Sequence, residues 1–419
     1  MDVSGSQIFA MGLGQGGTRV LDAVAEFQRS TVSQMLTFAR SMGISTLRVD
    51  DYFSSVALNT NIRDLNILHI PEESRILIGG GKGCGGNPEY CKGIANANRD
   101  LIRNTITVNT LGRGIMPHFC FIVTSLGGGS GCGCSPVAAD IIDEVFIQRH
   151  VVNPNDFVKI GIGLLPFGYE SGRYEENALW GMKNLLPRLD GLIIADNEWF
   201  YERIPTQVRG RVGINEIFDQ INREILKQIK LLTISGLPIS QEQDLVMDST
   251  DLKNTILEAK TSDYGVLCCL GRAESPVDAE GNSRSSLTNL VQMAVLQGTT
   301  TQAVYTSARS AALIVAGPSS PKVSELHEAI SWLGSQLNDG AGGTVRWGNA
   351  VISSYDRFEV VILLAGVEMP RIKDLITRVK AMTGSNEPRE EQPSYEPPPD
   401  EPTSQGEWAD QFQQWSQNQ

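Results

Sequence analysis

One run of nine residues, Ser125-Leu126-Gly127-Gly128-Gly129-Ser130-Gly131-Cys132-Gly133, constrains this chain more than any other stretch. It follows an apolar, β-rich segment at 119–124 that reads as a buried strand. It precedes 136–142, where Pro136 near a first turn predicts a helix. Flexible linkers do not sit between a buried strand and a helix. The glycines strip Cβ atoms from one side of the turn, so backbone N–H groups can approach a ligand. N–H donors beside a helix N-terminus form a seat for phosphate, and Ser130 adds a hydroxyl.

Two more glycine loops stand in the same context. Gly12-Leu13-Gly14-Gln15-Gly16-Gly17 follows a short strand at 8–11 and leads to a helix from about Val20, with a second helical stretch near 32–39. Gly83-Cys84-Gly85-Gly86-Asn87-Pro88 follows a strand at 75–79. Further strands are expected at 47–50, 159–165 and 191–195. Strands alternating with helices predict a parallel sheet, and in such sheets ligands bind outside the carboxyl ends of the strands. All three loops fall there. Cys84 and Cys132 are expected near one another at the mouth of that site, either as reactive thiols or as small residues filling tight turns.

Ile214, Ile217, Phe218, Ile221, Ile225, Ile229 and Leu232 share one face of a long helix at 214–232. Beyond Gly236 the pattern becomes mixed α+β, with strands at 265–270, 311–315 and 359–364 and helices at 252–259 and from 320. Residues 384–419 hold eight Asp/Glu and one Arg among Pro, Gln and Ser, which predicts disorder. Trp408, Phe412 and Trp415 recur there at helical spacing and read as a docking motif within 408–415. The expected division is a nucleotide-binding domain at 7–212, a central helix at 213–234, an α+β domain at 235–383 and the tail at 384–419.

The chain has 419 residues and a formal net charge of −13, which argues against a nucleic-acid partner. No apolar run approaches the ~18 residues of a membrane span, and Asp2 with no basic stretch speaks against a signal peptide. Seven cysteines without framework spacing fit a reducing cytoplasm.

Read in order, the three glycine loops resemble those of the tubulin/FtsZ superfamily over roughly residues 7–380, and the run at 127–133 resembles its signature GGGTGSG. The details are most similar to the archaeal CetZ group: Gly14-Gln15 in the first loop, Asp196-Asn197, and 360–367 followed by Pro370-Arg371-Ile372-Lys373. The resemblance implies an α/β fold with a Rossmann-like GTPase domain, a long central helix and a C-terminal α+β domain. It implies GTP/GDP as ligand, with Mg2+ held through phosphate and water. It places Gly14, Gln15 and Gly16, then Gly83, Gly85, Gly86 and Asn87, then Gly127 to Cys132 around the phosphates. Glu170 and Arg173 fall near the ribose, and Asn197 and Asn222 at the guanine edge. Asp248 and Asp251 match the acidic loop that each subunit inserts into its neighbour's site. By their own spacing these two also read as a helix cap, Asp248 at N-cap and Asp251 at N3. Ser130 and Cys132 replace the usual Thr and Ser, and Val246 stands where FtsZ has Asn.

The implied function is a cytoplasmic, head-to-tail self-assembling GTPase of the cytoskeleton serving cell shape or division. The tail would meet an adaptor or a partner at the inner face of the membrane. Two other readings stand beside it. One is a filament scaffold that binds GTP and barely hydrolyses it. The other is an NAD-dependent enzyme, from Gly12-x-Gly14-x-x-Gly17 with Asp50 or Asp51 on the ribose, although that acid lies more than 30 residues past Gly17 against about 20 expected.

Overall fold

The structure, a computed structural model, describes residues 6–43, 48–170, 172–209, 211, 213–234, 247–261, 265–352 and 354–384. Val246, Trp408, Phe412 and Trp415 lie outside the described residues.

Ten strands form one sheet: β1 (Ile8–Leu13), β2 (Phe53–Asn59), β3 (Arg75–Leu77), β4 (Phe119–Ser125), β5 (Val158–Leu165), β6 (Gly191–Asp196), β7 (Val266–Pro276), β8 (Ser310–Gly317), β9 (Thr344–Val351) and β10 (Arg357–Ala365). The order is β3-β2-β1-β4-β5-β6-β7-β10-β8-β9. Neighbours from β3 to β7 run parallel, β10 is antiparallel to both β7 and β8, and β9 is parallel to β8. The pleat sends successive side chains to opposite faces. Phe9, Met11 and Leu13 therefore enter one core, and Ile8 and Ala10 the other, with helices covering both.

The central helix, Ile214–Ile234, is 21 residues long and spans about 30 Å. Its buried face of Ile217, Ile221, Ile225, Ile229 and Leu232 joins the second core. It packs on the helices Gly14–Phe27 and Asn197–Arg203 and on β7 and β8. Lys230, near its end, pairs with the fully buried Glu359 of β10 at 2.6 Å, and Arg272 of β7 pairs with the same carboxylate. A buried carboxylate is tolerated only with such partners. The ions thus hold the helix in register on the C-terminal strands.

Three sequence expectations are corrected. The strand expected at 47–50 is a 3-10 turn at Val49–Asp51, stabilised by Asp51 accepting from the Arg48 N–H at 2.7 Å, and the true strand is β2. The first helix starts at Gly14, not near Val20, so Gly14–Gly17 of the first glycine loop lie in the helix and Gly12-Leu13 end β1. The helix expected from Pro136 runs Gly129–Ile142. Pro136 lacks the N–H that would bond the Cys132 carbonyl, and Ser135 Oγ donates to that carbonyl instead at 3.1 Å.

Candidate nucleotide site

The three glycine loops meet at the carboxyl ends of β1, β2 and β4. Gly14, at φ +67°, leaves β1 so close to the signature run that a Cβ on it would lie 2.6 Å from Gly131 N. A Cβ on Gly129 would lie 2.7 Å from Asn87 N of the second loop, and one on Gly133 2.2 Å from the Pro88 carbonyl. Most of these glycines thus serve loop-to-loop packing rather than approach to a ligand. Gly83 and Gly85 differ: both hold positive φ with open space where a Cβ would stand. Gly128 is similarly open, its nearest neighbour being Ser125 Oγ at 3.9 Å.

Two helices begin here with no side-chain cap, one at Gly14 and one at Gly129. The N–H groups of Gly128, Gly129, Ser130 and Gly131 therefore have no intrahelical acceptor. By contrast Asn87, Asp196 and Asp248 each cap the helix that follows them. Two uncapped N-termini side by side favour an anion through both their donors and their dipoles.

The side chains divide more sharply than the sequence implied. Ser130 Oγ lies 2.7 Å from Thr60 Oγ1 at the end of β2, and 3.4 Å from Cys84 Sγ. Cys132 points away from the site: its buried thiol contacts the Leu126 carbonyl and lies 3.3 Å from the Asn177 carbonyl. Burial pushes that thiol well up, so Cys132 is an inert core cysteine, and the reading of a reactive pair at the mouth does not hold. Cys84 belongs to another cluster. Its hydrogen bond with Cys91, followed by burial, raises its pKa, and Cys91 Sγ lies 3.5 Å from Cys134 Sγ. Gln15 is exposed at the start of its helix, and Asn87 spends its side chain on Tyr90 N at 3.1 Å.

Glu170 turns back to accept from Phe167 N at 2.9 Å, and a Cβ on Gly86 would lie 3.8 Å from Arg173 Nε. Arg173 thus stands against the second glycine loop. Asn197 opens the helix Asn197–Arg203, and Asn222 lies on the central helix packed against it. One turn before Asn222, the half-buried Phe218 meets Phe167 edge-on, ring centroids 5.3 Å apart. Composition hid Phe218 as one more apolar residue on a core face.

The acidic pair lies at the other end of the sheet. Asp248 Oδ1 accepts from the Asp251 N–H at 2.8 Å, the cap expected from spacing. Ser249 Oγ donates to the Asp156 carbonyl, and Lys253 Nζ to the Phe157 carbonyl, just before β5 begins. The Leu126 N–H of the signature loop bonds the Leu164 carbonyl near the end of β5. Seven residue steps at about 3.3 Å each put roughly 23 Å between the two regions. Burial, with Asp248 adding to it, raises the pKa of Asp251.

An open parallel sheet with convergent, uncapped helix termini at its carboxyl ends defines a phosphate-binding α/β protein. Residues 7–205 match the model of the Tubulin/FtsZ family GTPase domain, and 212–381 that of the tubulin-like CetZ C-terminal domain. The chain belongs to the tubulin/FtsZ superfamily. Its relatives include CetZ1 of Haloferax volcanii, 26% identical over 392 residues, covering 87% of this chain and 89% of that relative. CetZ of Thermococcus kodakarensis is 28% identical over 337 residues, 78% of this chain and 80% of that one. The solved GDP-bound monomer of CetZ1 superposes with a TM-score of 0.68 at 26% identity over 90% of this chain and 99% of its own. The CetZ2 structure from the same organism, a GTPγS-bound protofilament, gives 0.67 at 23% identity over 90% and 98%. The Gly12-x-Gly14-x-x-Gly17 spacing is therefore a first loop of this superfamily, not a dinucleotide fingerprint.

Proposed function

We propose that this protein binds GTP at the three glycine loops, polymerises head-to-tail and hydrolyses GTP at subunit junctions, as part of a cytoskeleton controlling cell shape or division. The observation that carries this reading is the separation of its two halves. The uncapped termini that would hold phosphate and the Asp248/Asp251 pair lie at opposite ends of β5, so neither completes a site within one subunit. Stacked copies would bring them together, and a head-to-tail contact propagates as a filament. CetZ2, solved as a GTPγS-bound protofilament, supports self-association into filaments.

In this reading the N–H groups of Gly14, Gln15, Gly16 and Gly128 to Gly131 face the phosphates, together with the loop at Gly83, Gly85 and Gly86. Glu170 and Arg173 lie on the ribose side. Asn197 and Asn222 read the base, and Phe218 offers an aromatic surface beside them. Asp251 positions or activates the attacking water in the next subunit. Mg2+ would be held mainly through phosphate and water. GTPase rate per subunit should rise steeply with protein concentration above a threshold, with filaments seen by electron microscopy over the same range. A rate flat from dilute monomer to high concentration would sink the shared site.

The division into 7–212, 213–234, 235–383 and a tail at 384–419 belongs to the same proposal. So does a cytoplasmic setting. No helix among the described residues is long and apolar enough to cross a membrane, and attachment would run through residues 408–415 to an adaptor or membrane-associated partner. Deleting 384–419 should leave assembly intact in vitro and abolish localisation in cells. Unchanged localisation would remove the docking role.

A further inference from the structure

The helix Arg173–Leu185 places one buried amide between two of the glycine loops. Asn177, 6% exposed, donates from Nδ2 to the Gly86 carbonyl and to the Gly127 carbonyl, both at 2.9 Å. Both partners are acceptors, so only the NH2 end of the amide can face them. We infer that Asn177 is a positioning residue for the phosphates, turning the N–H groups of the signature loop to the ligand and anchoring the second loop beside it. The inference rests on the nucleotide reading above.

The reason lies in peptide geometry. In a trans peptide the C=O and N–H point in opposite directions, and no peptide among the described residues is cis. Drawing the Gly127 carbonyl toward Asn177 therefore aims the Gly128 N–H the other way, among the four donors that the uncapped helix offers. Glycine on both sides of this peptide makes a flip sterically cheap. A flipped peptide would present its carbonyl to an anion and lose a donor there. In the second loop the Gly86–Asn87 peptide is held at both ends, its carbonyl by Asn177 and its N–H by the Cys84 carbonyl at 3.1 Å. The open glycines 83 and 85 precede this fixed point. Asn177 thus supplies from outside the loops the rigidity that their composition lacks.

The test is a ladder of GMP, GDP and GTP, each competing with a fluorescent GDP analogue on the full chain. In Asn177→Ala, GMP affinity should stay within about twofold, because the base side is untouched. GDP and GTP should weaken about tenfold or more, the scale of two lost hydrogen bonds. Asn177→Ser, which keeps one donor, should fall between and serves if the alanine variant does not fold; melting of the nucleotide-free proteins reports folding. An equal loss for all three nucleotides means general support of the fold and overturns the inference, as does no loss. If the wild-type chain binds none of the three, the nucleotide reading itself falls. Failure confined to the variants overturns only the role of Asn177.

Discussion

Replacing Asp251 by alanine should lower GTP turnover roughly 10²–10⁴-fold, the scale for losing a group that positions or activates water, while nucleotide affinity and filament formation persist. Asp251 suits this test better than Asp248. The Asp248 carboxylate caps the helix Ser249–Glu258, so its removal would also cost about 1 kcal/mol of stability. Asp251 contributes only its backbone N–H to that cap, which alanine keeps. Filaments of the variant should be long-lived, because hydrolysis no longer weakens their junctions. Mixing it with a phosphate-loop variant such as Gly129→Ala should give behaviour unlike either alone, since an intact loop and an intact acid can then meet at one junction. Phosphate release on assembled filaments decides the matter. Turnover within twofold of wild type would remove Asp251 from the reaction and favour the GTP-binding scaffold.

A second large effect is expected at Arg371, on the C-terminal helix Pro370–Gly384. Its guanidinium enters the nucleotide domain, donating to the Pro166 carbonyl at 3.3 Å and lying 3.6 Å from Asp196 and 3.9 Å from Glu175. Arg378 also pairs with Glu175 at 2.8 Å. Both carboxylates are almost wholly buried. Arg371→Met should destabilise the fold by about 3–5 kcal/mol, the usual cost of stranding a buried charge.

The effect should depend on pH with a definite sign. Burial raises the Asp196 pKa to about 6, above the usual carboxylate range, while Arg371 pulls it down. A carboxyl whose folded pKa lies above its unfolded one binds more protons when folded, so stability falls as pH rises from about 4 to about 6. Without Arg371 that pKa climbs further, and the penalty continues to grow above pH 6. The loss in melting temperature should therefore be small near pH 5.5 and large near pH 8. A loss equal at both values would show that the arginine acts through packing alone.

Much of the molecule was legible because its signals are local. An apolar run bounded by glycines needs no partner to declare itself a buried strand, and β1, β4, β5 and β6 emerged close to their observed bounds. The Asp248 cap was equally legible, because acceptor and donor are three residues apart. Resemblance then supplied the superfamily that the domain models bear out.

Other features depended on contacts that no window of sequence contains. The expected strand at 47–50 yielded to β2, whose Ser54-Ser55 hides a burial that only pairing with β1 creates. The glycines of the signature run looked like room for a ligand, yet Gly129 and Gly133 make room for the neighbouring loop. Cys132 looked like a serine equivalent until helix rotation turned its thiol into the core. Asn177 touches Gly86 and Gly127 from 91 and 50 residues away, and Arg371 reaches Pro166 across 205. The sequence by itself determined where the strands and phosphate turns lie, because backbone propensity acts over a few residues. Only the tertiary structure decided which side chains hold those turns and at which end of the sheet the acids stand, because long-range packing sets the direction of a side chain.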